Sequence, residues 1–319
     1  METTSTPSRV SFVVLTRDEE RNIAACLGSV AGWAAEIFVI DSGSVDDTLR
    51  IAENFGARVF SHSFETHAKQ WDWALRNLPI KTDWVLALDA DQSVTPELRG
   101  EITEFISDPK NAAVDGCYVR RRQVFRGRWI KHGGYYPKYL LKFFRRGAAW
   151  SDERDLVDHH FRVEGRVAKL RNDIIEDNQN EASISTWIGK HNRYAVLQAH
   201  EEFERRRAAP HVGTKPRLLG TPDERILWLK GAWIRLPLYV RPLIYFLYRY
   251  IFRLGVLDGK QGFIFHFLQA YWYRLLVDIN LDELRRPSYK EPEREPAATT
   301  VADVRRAVSS SSTIGRGGE

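Results

Sequence analysis

The sequence has few cysteines and no long apolar run. Cys26 and Cys117 are the only cysteines in 319 residues, which excludes a disulfide framework and the clustered cysteines of structural zinc sites. No stretch of 18 or more uncharged apolar residues occurs, so an ordinary membrane-spanning helix is not expected. Residues 1–9 are polar and carry no recognisable secretory signal. These features favour a cytoplasmic protein.

Two further absences narrow the class of protein. No Gly-x-Gly-x-x-Gly sequence follows a predicted strand, which argues against a dinucleotide-dependent dehydrogenase. The net charge of +5 is modest and no nucleic-acid recognition module is visible, so nucleic acid is not an expected partner. The hydrophobic content of 43% is enough for a sizeable core.

Short apolar runs alternate with stretches of helical length in the first part of the chain. The predicted strands cover residues 10–15, 36–40, 57–61 and 84–88, and the predicted helices cover residues 18–30, 44–56 and 69–77. This alternation predicts βαβ units and a mostly parallel sheet, whose ligands bind beyond the carboxyl ends of the strands. Thr16, Asp41 and Asp89 each follow a strand, so we expect them to lie along one cleft.

A pair of aspartates, Asp89 and Asp91, ends the strand at residues 84–88. Alternate residues of a strand point the same way, so both carboxylates can face one site. Two close carboxylates repel each other unless a cation lies near them, and Mg²⁺ or Mn²⁺ with oxygen ligands meets that need. The alternatives are a solvated acidic turn, or the nucleophile loop of haloacid-dehalogenase-type phosphatases. Those phosphatases normally carry the loop on their first strand, whereas this pair follows at least three.

Three motifs in the same order resemble those of family 2 glycosyltransferases. They are Val13-Val-Leu-Thr-Arg-Asp-Glu-Glu20, Val39-Ile-Asp-Ser-Gly-Ser-Val-Asp-Asp-Thr48 and Leu88-Asp-Ala-Asp91. The resemblance covers about residues 9–205 and implies the GT-A fold, an α/β nucleotide-diphospho-sugar transferase fold with a mostly parallel sheet flanked by helices. Asp18 departs from the pattern, because the family often has Asn at that position.

The resemblance also implies roles for individual residues. Thr16 and Glu19 would border the nucleotide, and Asp41 would hydrogen-bond its base. Asp89 would lie near the ribose and the diphosphate and assist Asp91, the direct metal ligand. A weaker match places two further residues, Lys69 and Gln70, in the donor pocket.

Direct displacement at a sugar carbon requires a base that takes the proton of the acceptor hydroxyl, and a carboxylate can do this. The acidic candidates after the metal motif are Asp152, Glu153, Asp155 and Asp158. Asp158 resembles the acidic position of the family's base motif and is preferred, with Asp155 next. His159 stands where a second acid is common in the family.

Residues 206–286 are apolar, aromatic and basic, and residues 287–319 are expected to be disordered. A helix predicted from Pro242 to Leu254 places its apolar residues on one arc, which suits a helix lying in a membrane interface. A packed helical layer or a dimer interface is the alternative. Arg241-Pro-Leu, Tyr248-Arg-Tyr and Leu257-Asp-Gly resemble the tails of bacterial lipopolysaccharide-core and exopolysaccharide glycosyltransferases.

Together these features predict an inverting, metal-dependent glycosyltransferase with a membrane-associating C-terminal appendage. It would move a hexose from a nucleoside-diphosphate sugar, with UDP the expected nucleotide, to a lipid-linked or envelope glycan. It would lie peripherally on the cytoplasmic face of the inner membrane, against anionic lipid. The alternatives are a nucleotidyltransferase on the same fold, and a non-catalytic, membrane-bound scaffold that binds sugar nucleotides.

Overall fold

The computed structural model describes residues 9–151, 160–181, 183–207, 219, 228, 231 and 233–286. The predicted base Asp158 and its alternatives Asp152, Glu153 and Asp155 lie outside these residues. The described strands are β1 (Val10–Thr16), β2 (Glu36–Asp41), β3 (Arg58–Ser61), β4 (Trp84–Asp89), β5 (Gln92–Val94), β6 (Gly116–Phe125), β7 (Arg128–Ile130), β8 (Lys138–Arg145), β9 (Ala149–Ser151), β10 (Phe161–Val163) and β11 (Val167–Glu176).

The described α-helices are α1 (Ile23–Gly28), α2 (Thr48–Asn54), α3 (His67–Asn77), α4 (Pro96–Ser107), α5 (Ile184–Arg207), α6 (Val240–Leu247), α7 (Gly259–His266) and α8 (Tyr273–Leu284). Two π-helical segments, Tyr248–Phe252 and Phe267–Trp272, and a 3₁₀ turn, Gly255–Asp258, join the last three helices. Shorter 3₁₀ turns cover Pro109–Asn111 and Gln179–Glu181.

A mixed sheet of nine strands forms the centre of the described fold, in the order β3-β2-β1-β4-β8-β6-β11-β5, with β7 paired to β6. The first four strands of this order are parallel. The direction reverses between β4 and β8, which pair antiparallel. The sheet therefore has a parallel half, which the sequence predicts, and a mixed half. Strands β9 and β10 form a separate two-stranded sheet.

Strands β1, β2 and β4 of the parallel half are buried on both faces, because helices cover each side of them, whereas the edge strand β3 is partly exposed. Every residue of β1 is buried, and its side chains alternate between two core clusters. Phe12 and Val14 belong to the cluster beneath α1 and α4, and Val13 belongs to the cluster that contains Trp71 of α3. This strict alternation fixes the register of β1, because a slip of one residue would exchange the two faces.

The predicted helix at residues 18–30 is shorter in the structure, where α1 begins at Ile23. The preceding segment is tied to the loop after β2 instead. The backbone N–H of Asp18 donates to Ser44 Oγ at 2.9 Å, and that of Glu19 donates to Thr48 Oγ1 at 2.7 Å. These bonds hold the loops that follow β1 and β2 together at one edge of the sheet.

The C-terminal helices pack on α5 and leave apolar side chains at the surface. Ala195 and Ala199 of α5 contact the cluster formed by Val277 and Leu281 of α8. The predicted helix at residues 242–254 is α6, which begins at Val240 and continues through a π-helical segment. Most of the exposed large apolar side chains among the described residues lie between residues 239 and 267. Among all the residues that the structure describes, no helix is long and apolar enough to cross a bilayer.

Candidate active site

A cavity of about 630 Å³ opens at the carboxyl ends of β1 and β4 and extends over β6 and β8. On the side of the parallel strands it is lined by Thr16, Arg17, Glu19, Ser42, Gln70, Asp89 and Asp91. On the side of the mixed half it is lined by Tyr118, Arg121, Lys138, Tyr139, Lys142, Glu176, Lys190 and Tyr194, among others. The two halves of the sheet therefore contribute to one site.

The first aspartate of the predicted pair, Asp89, lies at the end of β4 and lines the cavity. Its Oδ2 atom accepts hydrogen bonds from Lys142 Nζ and from Gln92 Nε2, each at 2.8 Å. A carboxylate oxygen held by two donors, one of them charged, has a well-defined orientation.

Asp91 lies two residues after Asp89 in the chain and is one of several carboxylates that line the same cavity. Removal from water raises the pKa of Asp91 well above its usual range, and the nearby charges of Glu176, Asp89 and Glu19 raise it further. A bound cation would relieve this repulsion, and the oxygen donors present are those that Mg²⁺ and Mn²⁺ prefer. Among the described residues, no group of three or more His, Cys, Asp and Glu side chains is arranged to enclose a metal ion.

A hydrogen-bonded network joins the metal motif to β11. Strand β5 pairs with β11 so that Gln92 lies opposite Glu176. Gln92 Nε2 donates to Glu176 Oε2 at 2.9 Å, and Arg121 donates to both Glu176 oxygens at 3.0 and 3.1 Å. The network continues from Glu176 through Gln92 to Asp89, so it fixes the acidic end of the cavity.

Thr16 and Glu19, the predicted nucleotide contacts, both line the cavity. Thr16 is buried, and its Oγ1 atom has no hydrogen-bond partner within the described part of the chain. A buried hydroxyl without a partner is costly, so a ligand that bonded it would be favoured. Glu19 accepts hydrogen bonds from Asn22 at 2.6 Å and from Asn180 at 3.0 Å, and burial raises its pKa.

The carboxylate of Asp41 is occupied by its own loop. It accepts from the backbone N–H groups of Gly43 and Ser44, and Ser42, not Asp41, lines the cavity. Gly43 has φ +90°, a conformation that favours glycine at this tight turn. Gln70 lines the cavity and donates to Ser42 Oγ at 3.0 Å, so it steadies the same loop from α3.

Lys69 lies beside Gln70 on α3 but pairs with Glu65 at 2.5 Å. His160, the first described residue after the segment that contains Asp158, lines the cavity together with Phe161. The described chain therefore lines the cavity from His160, two residues after Asp158 in the sequence.

Sequence reasoning missed Lys142, Arg121 and Glu176. Lys142 left a recognisable signal, because it is a single lysine inside the apolar run Tyr139-Leu-Leu-Lys-Phe-Phe144. Glu176 left none, since its position depends on the pairing of β5 with β11.

Residues 11–164 match the family model described as Glycosyl transferase family 2. The chain belongs to this family. A glycosyltransferase of Rickettsia bellii, described as uncharacterized, is 27% identical over 71% of this chain and 76% of its own length. The lipopolysaccharide core biosynthesis glycosyltransferase LpsC of Rhizobium meliloti is 25% identical over 70% of this chain and 82% of its own length.

Two solved structures are also similar to this family 2 glycosyltransferase. The mannosyltransferase PcManGT from Pyrobaculum calidifontis, in complex with GDP-Man and Mn²⁺, is 14% identical with a TM-score of 0.47 over 88% of this chain and 89% of its own. Glucosyl-3-phosphoglycerate synthase from Mycobacterium tuberculosis, in complex with Mn²⁺ and UDP, is 22% identical with a TM-score of 0.30. That match covers 35% of this chain and 44% of the synthase. The chain is a glycosyltransferase with an α/β, GT-A-like fold built on a mixed sheet.

Proposed function

We propose that this glycosyltransferase moves a hexose from a nucleoside-diphosphate sugar, with UDP as the nucleotide, to a lipid-linked or envelope glycan with inversion at the sugar carbon. The observation that carries the proposal is the single cavity that joins the Asp89–Asp91 pair to the mixed half of the sheet. A donor bound at the ends of β1 and β4 would have its sugar directed towards β6 and β8.

Different residues of the chain would bind different parts of the nucleotide-sugar donor. Thr16 has a buried hydroxyl available to the nucleotide, and Asp91, assisted by Asp89, would hold Mg²⁺ or Mn²⁺. When bound, that ion supplies positive charge to the diphosphate. Asp41 and Gln70 shape the loop at Ser42, beside the place proposed for the base and ribose.

The proposed reaction is one displacement. The acceptor oxygen forms a bond to the anomeric carbon while the bond from that carbon to the diphosphate oxygen breaks, and the electron pair leaves with the diphosphate. The acceptor proton passes to a carboxylate, for which Asp158 is proposed and Asp155 is the alternative. His160 and Phe161, which line the cavity, support this assignment because they follow Asp158 closely in the chain.

The proposed acceptor is carried by lipid. Two observations support this part of the proposal: the relative LpsC acts in lipopolysaccharide core biosynthesis by its name, and apolar side chains are exposed between residues 239 and 267. Phe252, for example, is 77% exposed, and basic residues such as Arg253 and Lys260 lie in the same segment. Apolar and basic side chains together suit an anionic membrane surface on the cytoplasmic side of the inner membrane.

The test is the Asp91→Asn variant, measured in two ways on the full chain. Calorimetry measures binding of UDP with MnCl₂, and a coupled assay measures UDP release from a panel of UDP-hexoses in water. We expect wild type to bind and release UDP, and Asp91→Asn to lose on the order of 10²-fold or more in rate.

Asp83→Asn is the matched control, because Asp83 precedes the opposite end of β4 and pairs with Arg9 at the surface. Normal turnover by Asp91→Asn would contradict the metal role. Binding of UDP without turnover by wild type would favour a scaffold, and release of pyrophosphate from a nucleoside triphosphate would indicate nucleotidyl transfer instead.

A further inference from the structure

Lys142 of β8 is a buried lysine inside an apolar strand. Its side chain is 5% exposed, and its neighbours on the strand are Leu141 and Phe143. Lysine is almost never fully buried unless it is paired, because removing an ammonium group from water is costly. A function that needs a cation at this position would account for that cost.

An irregularity in the pairing of β6 with β8 determines where the side chain of Lys142 lies. On β6, Cys117 lies opposite Phe143 and the next residue, Tyr118, lies opposite Leu141, so Lys142 is an extra residue on β8. Such a β-bulge redirects a side chain, and bulges are frequent beside active sites. The pairing of β4 with β8 also stops at Leu86 and Phe143, so the two strands separate next to Lys142 where the cavity opens.

Lys142 has hydrogen-bonding capacity to spare. An ammonium group has three donors, and among the described residues its single hydrogen bond goes to Asp89 Oδ2 at 2.8 Å. The ammonium group also lies over the ring of Trp71, with Nζ 5.8 Å from the ring centroid. Two donors of a buried cation therefore remain for a group that enters the cavity.

The orientation of Asp89 does not require this charge. Gln92 Nε2, a neutral donor, bonds the same Oδ2 atom at the same 2.8 Å. Positioning of Asp89 alone would therefore leave the charge and the spare donors of Lys142 without a purpose.

We propose that Lys142 is a catalytic residue that bonds the departing diphosphate oxygen. This inference rests on the proposed function. Lys142 lies where the donor and acceptor halves of the cavity meet, beside Asp89, so it is placed for the bond that breaks. As the bond between the anomeric carbon and the diphosphate oxygen breaks, that oxygen gains negative charge, which a fixed ammonium in a water-poor site stabilises.

The test compares Lys142→Met, Lys142→Gln and Lys142→Arg in the full chain with UDP-hexose and MnCl₂. The rate of UDP release is expected to fall about 10²-fold in Lys142→Met and Lys142→Gln. The KM for UDP-hexose with Mn²⁺ is expected to stay within about threefold of wild type, since the departing oxygen carries no extra charge in the bound donor and gains it only in the transition state. Lys142→Arg should recover at least about tenfold over Lys142→Gln, because it restores the cation.

Lys110→Met, the same change at an exposed lysine, controls for loss of one charge. Unchanged turnover in Lys142→Met or Lys142→Gln would overturn the inference, and so would equal losses of rate and of apparent affinity for UDP-hexose. If Lys142→Met does not fold, the comparison of Lys142→Gln with Lys142→Arg decides. Failure of wild type to release UDP would instead count against the proposed function, so the two failures are distinguishable.

Discussion

We expect His266 of α7 to make the stability of this protein sensitive to acid. The side chain is fully buried, and neither ring nitrogen has a hydrogen-bond partner among the described residues. Burial, and then the positive charge of Arg249, lower the pKa of His266 from 6.5 to about 4. Asp258, with its Oδ2 atom 3.9 Å from Nε2, opposes this shift, and His132 adds to it.

The direction of the change in stability follows from which state, folded or unfolded, binds the proton at His266. Between pH 6.5 and 4 the unfolded chain is protonated at His266 and the folded chain is not, so the folded state loses stability as the pH falls through this window. Above pH 6.5 both states are neutral at this residue and nothing is lost. The difference of about 2.5 pH units corresponds to about 3 kcal/mol in total, of which about 2 kcal/mol is lost by pH 5.

The assay is urea unfolding of wild type and His266→Leu at pH 7.5, 6 and 5. We expect wild type to lose about 2 kcal/mol more than the variant between pH 7.5 and 5, because leucine does not titrate. His200→Leu, a change at a partly exposed histidine of α5, should follow wild type. If wild type and His266→Leu lose the same stability over this range, the burial argument for His266 is wrong.

Two further predictions concern the C-terminal helices. Arg241 is fully buried and donates hydrogen bonds to Glu202 at 2.8 Å and to Asp278 at 2.7 Å. Arg241→Met should therefore lower the free energy of unfolding by about 3–5 kcal/mol, because it leaves two buried carboxylates without their partner. Urea unfolding measures this, and a loss below about 1 kcal/mol would contradict the prediction. Phe252→Glu should weaken binding of the full chain to phosphatidylglycerol vesicles about tenfold or more in a flotation assay, since inserting one large side chain contributes about 1.5–3 kcal/mol. An equal loss in Val45→Glu, a change at another exposed apolar residue, would contradict a membrane-binding surface at Phe252.

The parallel half of the sheet was predictable because local sequence specifies it. Its strands β1, β2 and β4 are mostly apolar runs that end in a polar residue, and parallel strands end at the same edge. Thr16 accordingly lies opposite Asp41, and Leu15 lies opposite Asp89, in the observed register. The meeting of these strand ends therefore follows from strand direction alone, whereas the turn of the Asp41 carboxylate into its own loop does not.

The mixed half was not predictable in the same way, because distant strands pair there. Arg121 meets Glu176 across 55 residues of sequence, and the bulge at Lys142 depends on how β6 meets β8. The helix predicted to reach Leu254 ends earlier as an α-helix. Its backbone hydrogen bonds change to π-helical spacing at Tyr248–Phe252, and Leu254 takes a left-handed conformation with φ +60°. Such changes reflect tertiary packing more than residue preference.

The short pairing of β4 with β8 joins the parallel half of the sheet to the mixed half, so the sequence of each half can vary with little effect on the other. Three residue pairs join these strands, ending at Leu86 and Phe143. Substitutions in the outward stretches of β6 and β8 can remodel one wall of the cavity while the backbone around Thr16 and Asp89 keeps its own pairing with β1 and β2. Directed evolution aimed at the proposed acceptor should therefore start from Tyr139 and its neighbours, with the strands proposed to bind the nucleotide left unaltered.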